Sequence, residues 1–348
     1  MNKWKDLATI GLVCLICIGL LFGSTDLVVT TQAGFYGNLD TTEYSWYFNP
    51  REDGIPPEGC KEATFYKNYN AYYLGDSSEK SLYITFDAGY ENGCTEQILD
   101  VLKKHNAPAA FFLVGHYITS NPELVKRMER EGHLVCNHTV GHKDLATLTN
   151  FEEFKEEVVG LEELYQQTVG KEMPKFARPP EGRFSEMTLK YLEELGYTTV
   201  FWSFAYEDWL NDKQPDPQAS LEKILSRTHP GGIMLFHSTS QTNAEIFDQL
   251  LTKWEEMGYT FKSLTQLPAK EKANDPQRAV DNGVQSAQQP QSSLEASPSS
   301  SVQPSSTSGA DVQESSKQQD QVMSQMEEDV SQEDPLRPAI DVYEESEI

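Results

Sequence analysis

The chain has 348 residues, a formal net charge of -26 at pH 7 and a sequence pI of about 4.6. This length allows one large domain or two small ones. The acidic charge argues against binding to nucleic acid, whose phosphates would repel it, and against charge-driven binding to an anionic membrane surface.

The first 33 residues are typical of a targeting segment. Lys3 and Lys5 precede an apolar run at residues 7–23, and Asp26 follows the run. Positive charge before such a run keeps the N-terminus in the cytoplasm and sends the rest of the chain outward. The run is long for a signal core and short for a membrane span of about 20 residues, so a cleaved signal and a membrane anchor both stay open. We therefore expect an extracytoplasmic protein of the cell envelope, either membrane-anchored or secreted.

Residues 34–78 form a lead-in segment that is rich in aromatic residues. It carries turn signals such as the run at 56–59, Pro-Pro-Glu-Gly. No motif with recognisable chemistry occurs in it. We expect the lead-in segment to pack on the domain that follows.

Residues 79–268 alternate short apolar runs with amphipathic helical patterns. This alternation predicts an α/β fold with a parallel sheet of right-handed βα units. For about 190 residues, a closed or nearly closed βα barrel is the natural solution. The seven predicted strands are at 81–86, 110–114, 133–138, 175–179, 198–204, 232–237 and 259–264. Six helices are predicted to begin near Thr95, Asn121, Phe151, Ser185, Gln218 and Asn243.

Residues 269–348 form an acidic tail that is rich in Ser, Gln and Pro. Such a composition buries too little apolar surface to offset the entropy lost on ordering, so the sequence predicts a disordered tail. The tail is a solvated segment, or alternatively a wall-spanning spacer or a partner-binding segment.

Polar residues occur in or at the C-terminal ends of the predicted barrel strands, where a βα barrel places its active site. One polar set at one mouth of a barrel is hard to explain by packing alone. In chain order the candidates are Asp87, His138, His142, Arg178, Asp208 and His237.

His138 and His142 are four residues apart, a spacing that puts two imidazoles on one face of a helical turn. Alone the spacing is a weak signal, since capping and core histidines share it. The position directly after a strand favours a metal-binding pair. Apart from His237, the other histidines have no such company, and we interpret them as surface or structural residues: His105, His116, His133 and His229.

Arg178 lies within a predicted barrel strand, where an unpaired guanidinium would cost several kcal/mol. Asp87 is a suitable carboxylate partner, although a lone aspartate at a strand end often only caps a loop. The arginine would hold Asp87 ionised, as a general base requires. In the same way, Asp208 would pair with His237 and keep it protonated as a general acid. The aromatic residues nearby are interpreted as core rather than as sugar platforms: Tyr90, Trp202 and Trp209.

Five strings together resemble the polysaccharide deacetylase (NodB-homology) family, which is carbohydrate esterase family four. They are TFDAGYENG, NHTVGH, RPPEGRFSE, FWSFAYEDW and MLFHSTSQTNAE, and they cover roughly residues 79–268. Each is weak alone, but five in order are specific. The longer strings GYENG, RPPEGRFSE and NAE are similar to the delta-lactam-biosynthetic de-N-acetylase group. The resemblance implies a distorted (β/α) barrel with about seven strands.

The resemblance also implies roles for the candidate residues. The family pattern has two adjacent acids after the first TF, a catalytic base and then a metal ligand, and here the second position is Ala88. An alanine methyl cannot coordinate a cation, so we expect a divalent metal ion, with zinc as the candidate, to be bound weakly. In this resemblance Asp87 matches the catalytic base, and Arg178 matches the residue that orients the base. His138 and His142 match the metal ligands. His237 matches the general acid, and Asp208 matches the acid that tunes it.

The implied function is hydrolysis of the N-acetyl group of an amino sugar in a peptidoglycan strand. The muramic acid of spore cortex peptidoglycan, on the way to muramic delta-lactam, is the first candidate substrate. One alternative is deacetylation of another N-acetylated or O-acetylated polysaccharide. A second is a non-catalytic carbohydrate-binding or scaffold protein with a decayed site, which Ala88 favours and the buried charges oppose. The sequence indicates no oligomeric state.

Overall fold

The computed structural model describes residues 39–52 and 54–269. The predicted signal or anchor segment lies outside the described residues, and so does nearly all of the predicted disordered tail. Within the part of the chain that is described, no helix has the length and apolar character needed to cross a membrane.

The strands form one large sheet and two small ones. In chain order they are β1 (Tyr44–Ser45), β2 (Phe48–Asn49), β3 (Glu58–Gly59), β4 (Ala71–Tyr72), β5 (Ser81–Ala88), β6 (Ala109–Leu113), β7 (Leu134–Asn137), β8 (Phe176–Ala177), β9 (Arg183–Phe184), β10 (Thr198–Val200), β11 (Gly232–His237) and β12 (Thr260–Phe261). The large sheet has the order β11-β5-β6-β7-β8-β10-β4, with β12 beside β5, and all of its strands pair in parallel. Two antiparallel pairs, β1 with β9 and β2 with β3, lie apart from it.

Helices fill the connections between the parallel strands. They are α1 (Thr95–Lys104), α2 (Gly115–Ser120), α3 (Pro122–Arg130), α4 (Phe151–Val169), α5 (Glu186–Glu194), α6 (Pro217–Ser226) and α7 (Gln241–Glu256). The predicted fold class is confirmed, with each predicted strand and helix present. Ser185 caps α5 by accepting from Thr188 N–H at 3.1 Å, whereas the Asn121 side chain makes no capping bond to α3. The short helix α2 was not predicted.

The large sheet curls until its two sides nearly meet. On one side β11 runs in register with β5, so that His237 lies opposite Asp87. On the other side Met234 of β11 bridges Phe204, which follows β10. Leu235 N–H donates to Phe204 O at 2.9 Å. Because β11 thus contacts both sides, the sheet is a nearly closed barrel.

Strand β5 shows how the barrel separates its interior from its helical layer. All eight of its residues are buried. Leu82, Ile84 and Phe86 pack in the apolar cluster that faces the helices, while Tyr83 packs with inner residues of the other strands. Side chains alternate between the two faces of a strand, so Asp87 shares the inner face with Tyr83. The active-site candidates therefore gather at the C-terminal opening of the barrel.

The lead-in segment braces one side of the barrel. Trp46 stacks on Phe201 with ring centroids 4.4 Å apart, and its indole N–H donates to Trp202 O at 2.9 Å. Its backbone N–H donates to Gly182 O at 2.9 Å. Gly182 has φ 69°, and a Cβ there would lie 2.7 Å from the Trp202 ring, so only glycine fits this turn. The lead-in also supplies β4, which the sequence did not predict because two residues give no detectable pattern.

Candidate active site

Asp87 and Arg178 form a buried ion pair at the C-terminal end of β5. Arg178 Nη1 donates to Asp87 Oδ1 at 2.6 Å. The guanidinium also donates to Val200 O at 2.9 Å through Nε and to Thr85 Oγ1 at 3.0 Å through Nη2. The guanidinium carbon, Cζ, lies 4.2 Å from the centroid of the Phe112 ring. Each guanidinium nitrogen therefore has a partner, and the sequence-based pairing of Arg178 with Asp87 is observed.

The proton affinity of Asp87 is set by two opposing effects. Burial is the largest single effect and raises the pKa of this carboxyl, but Arg178, His138 and His237 together lower it by more, so that the pKa lies below its ordinary value. Asp87 is therefore a carboxylate at neutral pH. Its second oxygen, Oδ2, lies 3.6 Å from Nε2 of His138.

His138 and His142 lie together on the loop after β7, with ring centroids 5.0 Å apart. The expected helical turn is wrong. Thr139 and His142 adopt left-handed backbone conformations, with φ 70° and 55°, which an α-helix excludes. Asn137 Oδ1 accepts from Thr139 N–H at 2.9 Å, and the buried carboxylate of Glu157 accepts from Gly141 N–H at 3.0 Å.

The two imidazoles have the chemistry of metal ligands. His138 Nδ1 donates to Arg178 O at 2.8 Å, which leaves Nε2 free to coordinate. Burial lowers the pKa of His138, and burial together with His138 lowers the pKa of His142 to about 3. Both rings are therefore neutral, as metal binding requires.

A third protein ligand is missing from this pair. Among the described residues, no group of three or more His, Cys, Asp or Glu side chains is arranged to hold a metal ion. Ala88 is buried and packs in the apolar cluster with Phe86. The residues thus fit a cation held by two histidines, one protein ligand fewer than a typical catalytic zinc site.

His237 and Asp208 form the second ion pair of the site. His237 Nδ1 lies 2.7 Å from Asp208 Oδ1, and its backbone N–H donates to Asp208 Oδ2 at 2.9 Å. Burial lowers the pKa of His237, but the charge and hydrogen bond of Asp208 together with the charge of Asp87 raise it by more, so that the pKa lies above its ordinary value. The Trp209 ring packs edge-on against the imidazole, with centroids 5.4 Å apart. With Nδ1 facing Asp208, Nε2 is the nitrogen left for a substrate.

Two supporting residues escaped the sequence reasoning. Thr85 accepts from Arg178 and donates to Met234 O at 2.8 Å, and Asn243 donates to Asp208 Oδ2 at 2.6 Å. In the sequence, only the positions of these two residues hint at their roles. Thr85 lies two residues before Asp87 on the same strand face, and Asn243 lies in the NAE string after His237.

The remaining histidines lie outside the site. His133 is buried beside β6, where its Nδ1 accepts from Ala109 N–H at 3.2 Å. His229 bonds Ser203 Oγ at 2.8 Å, and His105 lies between the surface acids Asp248 and Glu255. His116 is exposed on α2.

Of the three aromatic residues near the site, two belong to the buried interior. Trp202 and Trp209 are at most 8% exposed. Tyr90 is half-buried, and its hydroxyl accepts from Asn211 Nδ2.

Comparison with known proteins places this site in a family. The family model described as polysaccharide deacetylase matches residues 74–200. Peptidoglycan-N-acetylmuramic acid deacetylase PdaA of Bacillus subtilis is 41% identical over 224 residues, which cover 64% of this chain and 85% of the relative. The chain belongs to the polysaccharide deacetylase family.

The chain is also similar to a second type of peptidoglycan deacetylase and to a solved structure of the family. A peptidoglycan-N-acetylglucosamine deacetylase of Bacillus cereus is 32% identical over 205 residues, which cover 58% of this chain and 73% of the relative. The solved structure of B. subtilis PdaA, a family 4 carbohydrate esterase, aligns with a TM-score of 0.63 at 40% identity. It covers 65% of this chain and 97% of that one.

One solved polysaccharide deacetylase relative is inactive. It is a family 4 pseudoenzyme from Bacillus anthracis, 27% identical with a TM-score of 0.53, and the match covers 57% of this chain and 68% of that chain. A mutant of this pseudoenzyme has restored activity. Because the family fold also carries inactive members, the case for catalysis in this chain depends on its site residues.

Proposed function

We propose that this protein hydrolyses the N-acetyl group of muramic acid in peptidoglycan. The observation that carries the proposal is the position of Asp87 beside His237 at the barrel mouth. These two groups lie opposite each other on neighbouring strands, and their surroundings displace their pKa values in opposite directions. A carboxylate base and an imidazolium acid at one mouth are what amide hydrolysis needs. The similarity to PdaA supports muramic acid as the substrate.

The reaction divides between the two ion pairs. Asp87 takes a proton from water as the water oxygen attacks the acetyl carbon. Arg178 keeps the carboxylate oriented during this step. The carbon–nitrogen bond then breaks, and His237 gives a proton to the leaving amine, so that acetate and a free amino sugar are formed. Asp208 holds Nδ1 of His237 throughout.

We include a metal ion in the proposal as the group that His138 and His142 would hold. A divalent cation polarises the acetyl carbonyl when it is bound. Zinc is the first candidate because both ligands are neutral imidazoles. With only two histidine ligands, we expect the cation to be lost readily to chelators.

A decayed site is the second candidate function, and Ala88 is the observation that favours it. Against it stands the completeness of both ion pairs. Arg178 and Asp208 are fully buried, and an unneeded buried charge costs stability. A scaffold would gain by replacing them with apolar residues, yet each side-chain nitrogen of Arg178 and each carboxylate oxygen of Asp208 has a hydrogen-bond partner.

We also propose that the protein acts outside the cytoplasm, as a cell-envelope enzyme of spore cortex formation. Two observations support this location. Residues 1–33 have the charge and apolar pattern of an export or anchor segment. Peptidoglycan, the substrate of the similar PdaA, is a wall polymer.

The decisive experiment incubates the full chain with peptidoglycan strands of defined structure and follows the products by mass spectrometry. We expect muramic acid to lose its acetyl group, with release of acetate. Loss from glucosamine instead would assign the alternative deacetylase function. No loss, with and without added zinc, would assign the scaffold. The D87N variant is the matched control, since it keeps the shape of the side chain and removes the base.

A further inference from the structure

Asn243 lies behind the general acid, at the N-terminal end of α7 and fully buried. We propose that Asn243 is a positioning residue that fixes the Asp208 carboxylate, so that Asp208 in turn holds the proton on Nδ1 of His237. The inference rests on the proposed function, because it assigns a device to the acid of that reaction.

Hydrogen-bond chemistry fixes the orientation of the Asn243 amide. A carboxylate only accepts, so the Asn243 atom 2.6 Å from Asp208 Oδ2 is the Nδ2 donor. The same nitrogen lies 3.3 Å from His237 O, a second acceptor. The amide oxygen therefore faces Tyr206, whose hydroxyl must donate to it. Tyr206, Asn243, Asp208 and His237 form one buried chain in which each bond has a defined direction.

The segment that carries Asp208 needs such support. Residues 205–216 contain no helix or strand, so no regular backbone hydrogen bonding fixes the position of Asp208. Asp208 Oδ2 accepts from Asn243 and from His237 N–H, while Oδ1 faces the imidazole alone. Two donors on Oδ2 prevent the carboxylate from rotating away from His237.

The start of α7 holds the same segment at a second place. Gln214 Oε1 accepts from Ser240 Oγ at 2.9 Å and from Thr242 N–H at 3.1 Å. Gln214 Nε2 lies 3.3 Å from Asp208 O. Gln214 thus holds the backbone of Asp208, whereas Asn243 holds its carboxylate. Only the second contact can set the orientation of the acid pair.

Several charged or titratable groups face His237 from the surrounding elements. They are Asp208 from the segment before α6, Asp87 from β5, Arg178 from the end of β8, and the imidazoles of His138 and His142 from the loop after β7. Replacement of Asn243 changes none of these charges. Any change in the titration of His237 would therefore come from the placement of Asp208 and His237 relative to each other.

The test replaces Asn243 by leucine in the full chain. Leucine has a similar volume and no donor, so Asp208 keeps its charge and loses the bond that orients it. We expect kcat on peptidoglycan strands to fall about tenfold with little change in KM, since only acid catalysis is affected. We also expect the basic limb of the pH–rate profile to move to lower pH by at least about half a unit. In the absence of substrate, NMR titration of the His237 ring should show the same shift.

Two further variants complete the test. T242V removes the hydroxyl that donates to Pro215 O at 2.7 Å in the same helical turn, without contact to Asp208. It should titrate like the wild type. Y206F leaves Asn243 without its donor and should shift His237 in the same direction by less. It decides the question alone if the N243L variant does not fold.

The inference is overturned if His237 titrates at the wild-type pH in the folded variants of Asn243 and Tyr206, or if T242V shifts it equally. The NMR titration needs no substrate. A failure of the proposed substrate assignment, seen as an inactive wild type, is thereby distinguished from a failure of the inference.

Discussion

The two ion pairs at the barrel mouth have the same construction, but the proposed reaction gives them opposite roles, one as base and one as acid. In each pair one side chain is completely buried, Arg178 in the first and Asp208 in the second. The partner keeps some exposure, 10% for the Asp87 side chain and 16% for His237. In the proposed reaction the partly exposed member exchanges a proton with the reactants, and the buried member sets its charge. Residual exposure thus separates the reacting group from its support.

The difference between the pairs appears in their pH dependence. The folded-state pKa of Asp87 lies below its ordinary value, so this pair contributes stability above that ordinary value and loses it as pH falls. The folded-state pKa of His237 lies above its ordinary value, so the second pair contributes stability below about 6.5 and loses it as pH rises. Both groups are in their active forms only between the two pKa values, which predicts a bell-shaped pH profile of kcat/KM.

The largest effect should come from removing the support of the first pair. Replacement of Arg178 by methionine leaves Asp87 buried without a cation and should cost about 3–5 kcal/mol in the free energy of unfolding. Chemical denaturation measures this loss. The R178K variant is the control, since it keeps the charge but loses the fork to Thr85 and Val200. Equal stability of the wild type and the methionine variant would show that the pair is not needed for the fold.

Next in size is the loss of the reacting carboxylate. The D87N variant should reduce kcat by about 10²–10⁴, because a positioned general base contributes this much. Acetate release measures the rate, and circular dichroism reports the fold. D76N, which changes an exposed acid before β5, should leave the rate unchanged. Near-normal turnover of D87N would mean that another group is the base.

A smaller effect is expected from the support of the second pair. In the D208N variant His237 loses its anion, so its pKa should fall and the basic limb of the profile should move to lower pH. A fall of ~1 unit reduces the protonated fraction about tenfold on that limb. E207Q, at the exposed neighbouring position, is the control. A basic limb that stays in place would contradict the role of Asp208.

The last effect concerns the cation that His138 and His142 would hold. The A88D variant should lower the Kd for zinc about tenfold, or ~1.4 kcal/mol, since its carboxylate offers a third protein ligand beside the two imidazoles. Titration calorimetry measures this affinity. Because Ala88 is buried, a loss in the free energy of unfolding should accompany the gain. H142A should bind zinc more weakly than the wild type. Unchanged affinity of A88D would show that residue 88 does not face the cation.

The sequence was a good guide wherever the signal was local or periodic. Alternating apolar runs predict each barrel strand from β5 onward, and polar residues at the strand ends predict both ion pairs. The helical turn predicted at His138 was wrong because the loop geometry depends on Glu157, a residue of the helix that follows the loop. The role of Asn243 likewise depends on a tertiary contact. Its sequence neighbours do not reveal that it faces Asp208.

The brace formed by the lead-in segment has a consequence for how the chain folds. Trp46 is separated from Trp202, whose carbonyl it binds, by 156 residues. The lead-in is synthesised long before its partners, and contacts between such distant parts of a chain form slowly because loop closure must precede them. Docking of the lead-in should therefore be a late folding event. Until it occurs, the aromatic surface around Phe201 is open, and this surface is where a partly folded chain would meet a chaperone or a second copy of itself.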